Sequence, residues 1–321
     1  MANEFTGVAD FIQTHTSFVV TSHSRPDGDS LGSSIALGLA LTQIGKKVSI
    51  VQSDRVPNDF LWLPGVELIE RKKQVSDGAD SAIILECNNV SRTGLESLET
   101  DHVINIDHHT NTDFYGDLNW VDDSAAAVAE MVFKLIEFLG AEVTPEIATN
   151  LYVAIITDTG SFRFPNTTSR TFGVASRLVS MGAEPAAIAR ALYSEQPESR
   201  VRLLVTVLST LEMKRKRQGS VAWIQLTEEM LSETGATRDQ TEGLIDHVLA
   251  IQGVKVAVFY REEGPRTTRV SLRSSNGLDV AQIARKWDGG GHRNAAGLTI
   301  DKAMPDAIQE LTEVLQQALA E

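Results

Sequence analysis

The segment FVVTSHSRPDGDSL, residues 18–31, joins a short apolar run to the start of a helical pattern. Its first three residues predict a strand, and residues 31–44 predict a helix. The turn between them contains His23, Asp27 and Asp29, and its proline and glycine favour a fixed loop in which both aspartates face the end of the strand. Ligands of open α/β sheets bind beyond the carboxyl ends of the strands. The segment therefore predicts an α/β fold with a site after its first strand.

The rest of the first half repeats this alternation of apolar runs and helical patterns, which is the order expected of a parallel sheet flanked by helices. Further strands are predicted at 48–51, 82–85 and 103–106. Helices are then predicted at 125–139, 146–156, 169–181 and 185–192. Strand patterns return at 221–226, 254–260 and 269–273, before a glycine run and a last helix.

The length of 321 residues exceeds one ordinary domain, and the change of pattern suggests two domains. We expect a parallel-sheet domain with flanking helices over residues 1–185, a helical linker over 186–215 and a smaller mixed α/β domain over 216–321. Hydrophobic residues make up 42% and charged residues 22% of the chain, which excludes a disordered or low-complexity protein.

The charge balance limits the size of an anionic partner. Twenty-nine Lys and Arg residues against 43 Asp and Glu residues give a formal net charge of −14, which opposes the many phosphate contacts that hold a long duplex. A short or small anion remains a suitable substrate, because a metal ion and a few cations can dominate inside a site. The basic run Lys214-Arg215-Lys216-Arg217 is interpreted as a solvated face near a helix end rather than a nucleic-acid site.

Other compositional features indicate a reducing compartment. Cys87 is the single cysteine, so an intramolecular disulfide framework is excluded, and we interpret it as a packed residue rather than a nucleophile. The N-terminal residues do not have the pattern of a signal peptide, and no apolar stretch approaches the ~20 residues of a spanning helix. We expect a cytoplasmic protein without a membrane partner.

Further ligand types follow the later strands of the first half. Glu86 follows one predicted strand, Asp107-His108-His109 follows the next, and Asp158 follows an apolar helical segment. An N-cap at Asp29 or Ser30 is the alternative for the first turn, but it explains one acid and not the whole set. The candidate metal ligands are four carboxylates and two imidazoles: Asp27, Asp29, Glu86, Asp158, His23 and His108.

Clustered carboxylates cannot all remain ionised without compensation. Two divalent cations would cancel the formal charge of −4 on this set, and an oxygen-rich set with a minority of imidazole suits manganese, although zinc, iron, cobalt and magnesium stay open. A two-metal site would activate water and stabilise charge on the attacking and leaving oxygens of a phosphoester. The sequence thus points to phosphoester hydrolysis.

The second domain offers a candidate anion site. Gly289, Gly290 and Gly291 precede His292, and consecutive glycines let backbone N–H groups approach an anion closely. Arg273 lies upstream and can pair bidentately with a phosphate. A flexible turn is the alternative interpretation of the glycines.

These segments resemble the DHH phosphoesterase superfamily, which is named for the triplet at residues 107–109. The resemblance includes a DHH-associated C-terminal domain. The likeness runs from the segment at 23–29 through Asp158-Thr159-Gly160 to the segment at 289–297, nearly the whole chain. The two-domain layout is similar to the bifunctional nano-RNase (oligoribonuclease) and pAp phosphatase branch. This resemblance implies a manganese-dependent phosphodiesterase and phosphomonoesterase that degrades very short RNAs to mononucleotides and removes the 3′-phosphate from 3′-phosphoadenosine 5′-phosphate (pAp). The resemblance does not decide whether the protein forms a homodimer.

The resemblance also implies roles for individual residues. The six candidates above take the metal-ligand positions, with Glu86 at the bridging one, and they would hold two divalent ions per chain. His109 would face the substrate phosphate and Asp107 would orient the histidines. The residues implied to hold the substrate are Arg92, Arg273, Gly289, Gly290, Gly291 and His292. A surface cation is an equal alternative for Arg92.

The chain departs from the family pattern at two positions. Glu86 stands where the family usually has aspartate, which puts metal spacing or preference in question. Asp288 precedes the glycines where another glycine is common, and it places a negative charge beside the candidate anion site.

Two other functions remain open at the level of sequence. A soluble phosphodiesterase of linear or cyclic dinucleotides (pApA, pGpG, c-di-AMP) could use the same site. A non-catalytic nucleotide- or RNA-binding module, with a C-terminal domain that acts in recognition as in alanyl-tRNA synthetases, is less favoured because the ligand set is full. The glycine motif disfavours a manganese pyrophosphatase, and the length and acidic charge disfavour a processive exonuclease.

Overall fold

The computed structural model describes residues 2–76, 78–110, 112–194, 196–216, 219–275 and 278–319. By internal contacts the chain divides into two units, Met1–Glu195 and Gln196–Glu321. The segment 186–215 is therefore divided between the two units. Within the described ranges, no helix is long and apolar enough to cross a membrane.

The first unit is built around a parallel sheet. Its strands are β1 (Ser17–Thr21), β2 (Lys47–Gln52), β3 (Ile69–Arg71), β4 (Gln74–Val75), β5 (Ser81–Leu85), β6 (Ser97–Leu98), β7 (His102–Asp107) and β8 (Leu118–Val121). Its helices are α1 (Ala2–Thr14), α2 (Gly28–Gln43), α3 (Val128–Leu139), α4 (Pro145–Asp158), α5 (Ser169–Ser180) and α6 (Pro185–Ala189). Six strands form one sheet in the order β3-β2-β1-β5-β7-β8, and all their pairings are parallel. The predicted α/β fold is confirmed.

The sheet order brings the candidate site together. Strands β1, β5 and β7 are neighbours, so the residues that follow them meet at one edge. The strand residues are apolar on both faces of the sheet. Val20, Ile83 and Ile104 share one face and belong to the apolar cluster that includes residues of α2, α3 and α4. On the other face, Val19 belongs to a smaller apolar cluster with Val75 of β4. The loop after β1 leads directly into α2.

Two glycines allow α2 to pack closely against α4. A Cβ atom at Gly28 would lie 2.4 Å from Oγ1 of Thr157, and one at Gly32 would lie 2.3 Å from the carbonyl oxygen of Asn150. No side chain fits at these two positions without a shift of the neighbouring helix. The close approach brings the first turn of α2 beside Asp158, the last residue of α4.

The second unit contains a mixed sheet, as predicted. Its strands are β9 (Glu212–Lys216), β10 (Gly219–Leu226), β11 (Val254–Gly264), β12 (Thr267–Ser274), β13 (Gly290–His292) and β14 (Ala295–Ile300). Its helices are α7 (Glu198–Ser209), α8 (Glu228–Thr234), α9 (Leu244–Leu249), α10 (Val280–Ala284) and α11 (Met304–Ala318). The sheet order is β13-β14-β12-β11-β10-β9, with β10 and β11 parallel and the other pairs antiparallel.

Lys214 and Arg215 of the basic run are exposed, as expected of a solvated face, but the expected placement at a helix end was wrong. Lys214 and Arg215 belong to the edge strand β9, which pairs with β10; Arg217 lies outside the described residues. Basic side chains on an edge strand discourage pairing with another chain. The helix predicted from residue 125 begins instead at Val128, after an extended Ala127.

Candidate metal centre

The turn after β1 places a histidine between two acids. Nε2 of His23 lies 3.6 Å from Oδ2 of Asp27 and 3.5 Å from Oε2 of Glu86. Nδ1 of His23 donates to the carbonyl oxygen of Ser24 at 2.8 Å, which leaves Nε2 as the nitrogen available to a metal ion. Oδ1 of Asp27 accepts from the backbone N–H of Ser30, so Asp27 is the N-cap of α2. The alternative that Asp29 or Ser30 caps this helix is therefore wrong.

Asp29 lies inside α2 and is almost fully buried, with 1% exposure. Its Oδ2 accepts from the backbone N–H of Val128 at 2.6 Å, and its Oδ1 accepts from the N–H of Ala129 at 3.1 Å. The hydroxyl of Ser33, one turn later, also donates to Oδ1 at 2.8 Å. Asp29 thus binds the N-terminus of α3, whose own N-cap Ala127 has no side chain for this.

The DHH triplet begins at Asp107, the last residue of β7. Asp107 is fully buried, and its Oδ1 accepts from Nδ1 of His109 at 2.7 Å and from the backbone N–H of His108 at 2.8 Å. Its Oδ2 accepts from the hydroxyl of Thr112. His108 is oriented differently, since its Nδ1 donates to the carbonyl oxygen of Ala125 at 3.1 Å and its Nε2 lies 3.7 Å from Oδ2 of Asp158.

Two backbone conformations in this site are unfavourable for their residue types. Glu86 and Arg25 have φ values of 53° and 55°, in the left-handed region. Such conformations cost about 1–3 kcal/mol each and persist where the surroundings require them. At Glu86 the conformation accompanies a carboxylate that is only 3% exposed.

The candidate ligands fall into two groups of three. His23, Asp27 and Glu86 have ligand atoms within 4.8 Å of one another. Asp29, His108 and Asp158 form a second such group. Glu86 also groups with His108 and His109, so it links the two sets. The structure brings together all six residues that the sequence proposed as ligands.

The electrostatics of this cluster favour a cation. Burial raises the pKa of Glu86 well above its usual value, and Asp27 and Asp29 raise it further. Burial also raises the pKa of Asp29 to about 7 and that of Asp158 to about 6. Among the described residues, Oε2 of Glu86 has no hydrogen-bond partner. Because these buried acids resist ionisation and one oxygen is unsatisfied, the donor set fits a divalent metal ion.

At His23 and Asp27, contacts with neighbouring groups outweigh the effect of burial on the pKa. Burial opposes protonation of His23, but Asp27 and Glu86 outweigh it and raise the pKa of His23 to about 10. Burial favours the neutral form of the Asp27 carboxyl, but the contacts with His23 and Ser30 outweigh it and lower its pKa to about 2.

Cys87 lies next to Glu86 in the chain and is buried. Burial raises the pKa of Cys87 to about 12, so its side chain remains a thiol, which agrees with a packed residue.

The other candidate residues are Arg92 in the first unit and Arg273, the glycine run and His292 in the second unit. Arg92 belongs to a 3-10 turn after β5, and its carbonyl oxygen accepts from the N–H of Ser24 in the turn after β1. Its guanidinium lies 3.4 Å from Oδ1 of Asn88. In the second unit, Arg273 is a half-buried residue of β12 whose Nη1 donates to the carbonyl oxygen of Leu272.

The glycine run of the second unit has partly structural reasons. A Cβ atom at Gly289 would lie 2.4 Å from the carbonyl oxygen of Gly297, and one at Gly291 would lie 2.4 Å from that of Ala295. At Gly290, no described atom lies within 4 Å of such a Cβ. Asp288 has a φ of 54°, which explains why glycine suits this position. The side chain of His292 lies outside the described residues.

Sequence reasoning missed the groups that position the ligands. Ser33 follows Asp29 by four residues, one helical turn, and this spacing was the available signal. Thr112 and the N-terminal N–H groups of α3 gave no signal, because their contacts depend on loop and tertiary structure.

Comparison with known proteins gives this cluster a context. Residues 17–155 match the DHH family, N-terminal domain, and residues 218–321 match the DHHA1 domain. A Thermus thermophilus protein named bifunctional oligoribonuclease and PAP phosphatase NrnA is 36% identical over 308 residues, which cover 93% of this chain and 90% of that protein. The chain belongs to the DHH family. As a DHH phosphoesterase, it carries all of these acids and histidines except Asp158 within the matched N-terminal domain, and Asp158 lies three residues beyond the match.

Two other similar proteins match along nearly the whole chain. The Bacillus subtilis protein of the same name is 29% identical over 297 residues, which cover 90% of this chain and 91% of that protein. The crystal structure of an exopolyphosphatase-related protein from Bacteroides fragilis has a TM-score of 0.86 and 27% identity, and the match covers 100% of this chain and 96% of that one. The matched length includes both units.

Proposed function

We propose that this DHH phosphoesterase uses two divalent metal ions, best supplied as manganese, to hydrolyse short oligoribonucleotides to mononucleotides and to remove the 3′-phosphate from pAp. The division of six ligands into two groups linked by Glu86 carries this proposal. The names of the Thermus thermophilus and Bacillus subtilis relatives support the choice of substrates.

Each group of three would hold one ion. His23 and Asp27 would hold the first, Asp29, His108 and Asp158 the second, and Glu86 would contact both. When bound, two such ions make a nucleophile from water near neutral pH and stabilise charge on the attacking and leaving oxygens. The oxygen-rich donor set supports manganese.

The protein's own groups would orient the phosphate. Asp107 holds Nδ1 of His109 at 2.7 Å, which leaves Nε2 to hydrogen-bond a phosphate oxygen. In the reaction, a water oxygen bonds to phosphorus, the bond from phosphorus to the leaving oxygen breaks, and that oxygen takes a proton. Asp107 would act through the orientation of His109. Arg92, Arg273, the glycine run and His292 would bind further parts of the substrate.

The test measures hydrolysis of RNAs from 2 to 24 nucleotides and of pAp, pGpG and c-di-AMP. The protein is first treated with a chelator to remove metal ions, and each substrate is then assayed with and without added manganese. We expect activity only with added metal, and faster turnover of RNAs of two to five nucleotides, because the net charge of −14 repels longer polyanions. Full activity after thorough chelation would contradict the metal site. Equally fast, processive degradation of the 24-nucleotide RNA would contradict the substrate class.

Variants locate the activity within the cluster. His108→Ala should remove most activity, while His102→Ala, at the opposite end of the same strand, is the matched control and should retain it. Nucleotide binding without any hydrolysis would favour a recognition module instead. Hydrolysis restricted to dinucleotides would favour a dinucleotide phosphodiesterase.

A further inference from the structure

The loop between β8 and α3, residues 122–127, contacts two of the candidate ligands and contains no helix or strand of its own. Within this β8–α3 loop, the carbonyl oxygen of Ala125 accepts from Nδ1 of His108 at 3.1 Å. Directly after the loop, the first two N–H groups of α3 donate to the carboxylate of Asp29. The orientations of His108 and Asp29 therefore depend on where the β8–α3 loop lies.

The second half of the β8–α3 loop has no polar side chain with which to hold itself in place. Ala125, Ala126 and Ala127 are buried, and their methyl groups neither donate nor accept hydrogen bonds. Their backbone carbonyl groups are strong acceptors that need partners when they are buried. The position of this half of the loop is therefore set by groups that other elements supply.

Asn166 supplies such a group from the turn before α5. Its Nδ2 donates to the carbonyl oxygen of Ala126 at 3.0 Å and to that of Asp158 at 3.1 Å. Both partners are carbonyl oxygens, which only accept, so the amide nitrogen of Asn166 and not its oxygen must face them. One side chain therefore connects the β8–α3 loop to the last residue of α4.

This connection reaches every member of one ligand group. Asp29, His108 and Asp158 form that group. Asn166 bonds to Asp158 itself, and its second partner, Ala126, lies between the contact with His108 and the contact with Asp29. Among the described residues, Asn166 has no hydrogen bond to the other group, whose members are His23, Asp27 and Glu86.

Arg170, in the first turn of α5, contacts both ends of the same loop. Its Nη1 donates to Oδ2 of Asp122 at 2.8 Å, and its Nε lies 2.8 Å from Oε2 of Glu130. The side chain of Glu130 is fully buried, so loss of Arg170 would leave a buried carboxylate without its partner and would destabilise the fold. Asn166 is exposed and uncharged, which makes it the residue whose effect on the ligands can be measured separately from folding.

We infer that Asn166 is a positioning residue for the ion that Asp29, His108 and Asp158 would hold. Both of its donors are used by carbonyl oxygens, so it acts through the ligands and not on the ion. The inference rests on the proposed function, in which this group holds one of two ions. Groups that orient metal ligands change metal affinity by about 10- to 100-fold when they are removed.

The test is calorimetric titration of full-length, metal-free protein with manganese. Asn166→Ala is compared with wild type and with Gln43→Ala. Gln43 is the matched control, because it is an exposed amide that also holds a loop, through the N–H of Glu142, at the opposite end of α2 from Asp29. Wild type should bind two ions. We expect Asn166→Ala to raise the Kd of one ion about 10- to 100-fold and to leave the other unchanged, whereas Gln43→Ala should change neither.

Two further variants show which ion is affected and why. Asp27→Asn removes a carboxylate of the other group and can still cap α2, so in this background Asn166→Ala should weaken the ion that remains by the same factor. Asn166→Asp keeps the shape of the side chain but has no donor, and its negative charge alone would favour a cation. Weaker binding by Asn166→Asp would therefore result from displaced ligands and not from charge.

Several results would overturn the positioning role. These are unchanged Kd values in Asn166→Ala, equal losses for both ions, and a loss that disappears in the Asp27→Asn background. If affinity for one ion depends on Asn166 but wild type hydrolyses neither short RNAs nor pAp, the proposed function fails and the positioning role stands. If wild type hydrolyses them and metal affinity is independent of Asn166, only the positioning role fails. Binding of fewer than two ions by wild type would overturn both.

Discussion

Glu86 sits where the two groups of candidate ligands meet, and its side chain is one methylene longer than the aspartate usual in the family. The left-handed φ of 53° and the 3.5 Å contact with His23 place this longer carboxylate in the cluster. Aspartate at the same backbone position would withdraw the carboxylate by about 1.5 Å, the length of one C–C bond.

We therefore predict that Glu86→Asp raises the manganese concentration required for half-maximal activity by about 10- to 100-fold, in the range found when groups that support a metal are altered. A manganese activation curve measures this, and Glu142→Asp at an exposed site is the control. Unchanged activation and unchanged metal preference would show that the cluster accepts either length.

The grouping of the candidate ligands could be predicted from the sequence because their residue types are informative and the ends of neighbouring parallel strands meet at one edge. The three aspartates and the glutamate each follow or begin an element that the sequence pattern located. Their individual partners were not predictable. Asp27 caps α2, whereas Asp29, two residues later, caps a helix about 100 residues away. Only the tertiary structure distinguishes them.

At the scale of elements, the contact between α2 and α4 sets the distance between two candidate ligands, one on each helix. Gly32 lets the helices approach, since a Cβ there would lie 2.3 Å from a backbone carbonyl oxygen, which a side-chain rotation cannot relieve. Asp29 and Asp158 belong to these two helices and to the same ligand group. The packing of the helices and the geometry of the site are therefore coupled.

We predict that Gly32→Ala lowers the free energy of unfolding by about 1–3 kcal/mol, as overpacking does, and also weakens manganese binding. Chemical denaturation and a metal titration measure the two effects. Gly173→Ala is the matched control, because Gly173 lies within α5 with nothing within 4 Å of its added Cβ, and it should gain about 0.5–1 kcal/mol. Loss of stability in both variants would indicate a general cost of altering helical glycines.

The sequence patterns predicted less accurately those elements whose ends are determined by contacts with other elements. The helical pattern began at residue 125, but α3 starts at Val128, where the carboxylate of Asp29 accepts its first N–H groups. The short strand β9 has a basic composition that suggested a helix end, and its pairing with β10 gives it its conformation. The start of α3 depends on Asp29, which is distant in sequence, and the conformation of β9 depends on its pairing with β10. Neither contact is part of the local sequence pattern.

At the scale of the whole molecule, each unit has its own apolar core, and the candidate metal ligands all lie in the first unit. In that unit, the pKa values of several buried groups are raised above their usual values. Burial raises the pKa of Asp29 to about 7 and of Asp158 to about 6. Burial opposes protonation of His23 and His108, but neighbouring carboxylates outweigh it and raise both pKa values. Without metal, the folded chain holds protons here that the unfolded chain has released.

The free energy of unfolding of metal-free protein should therefore fall as pH rises from about 5 to 8, because stability falls wherever the folded state binds more protons than the unfolded state. Manganese requires ionised acids and neutral imidazoles, so its stabilisation should grow over the same range. At 100 times its Kd, manganese adds about 2.7 kcal/mol, or about 5–10 °C in Tm for a domain of this size. Thermal unfolding at several pH values, with manganese and with chelator, measures both trends. Asp158→Asn keeps nearly the same side-chain size but replaces the carboxylate of a candidate ligand with a neutral amide, so its Tm should respond little to manganese. A metal-free Tm that rises with pH would contradict the raised pKa values, since protonation of these groups would then destabilise the fold.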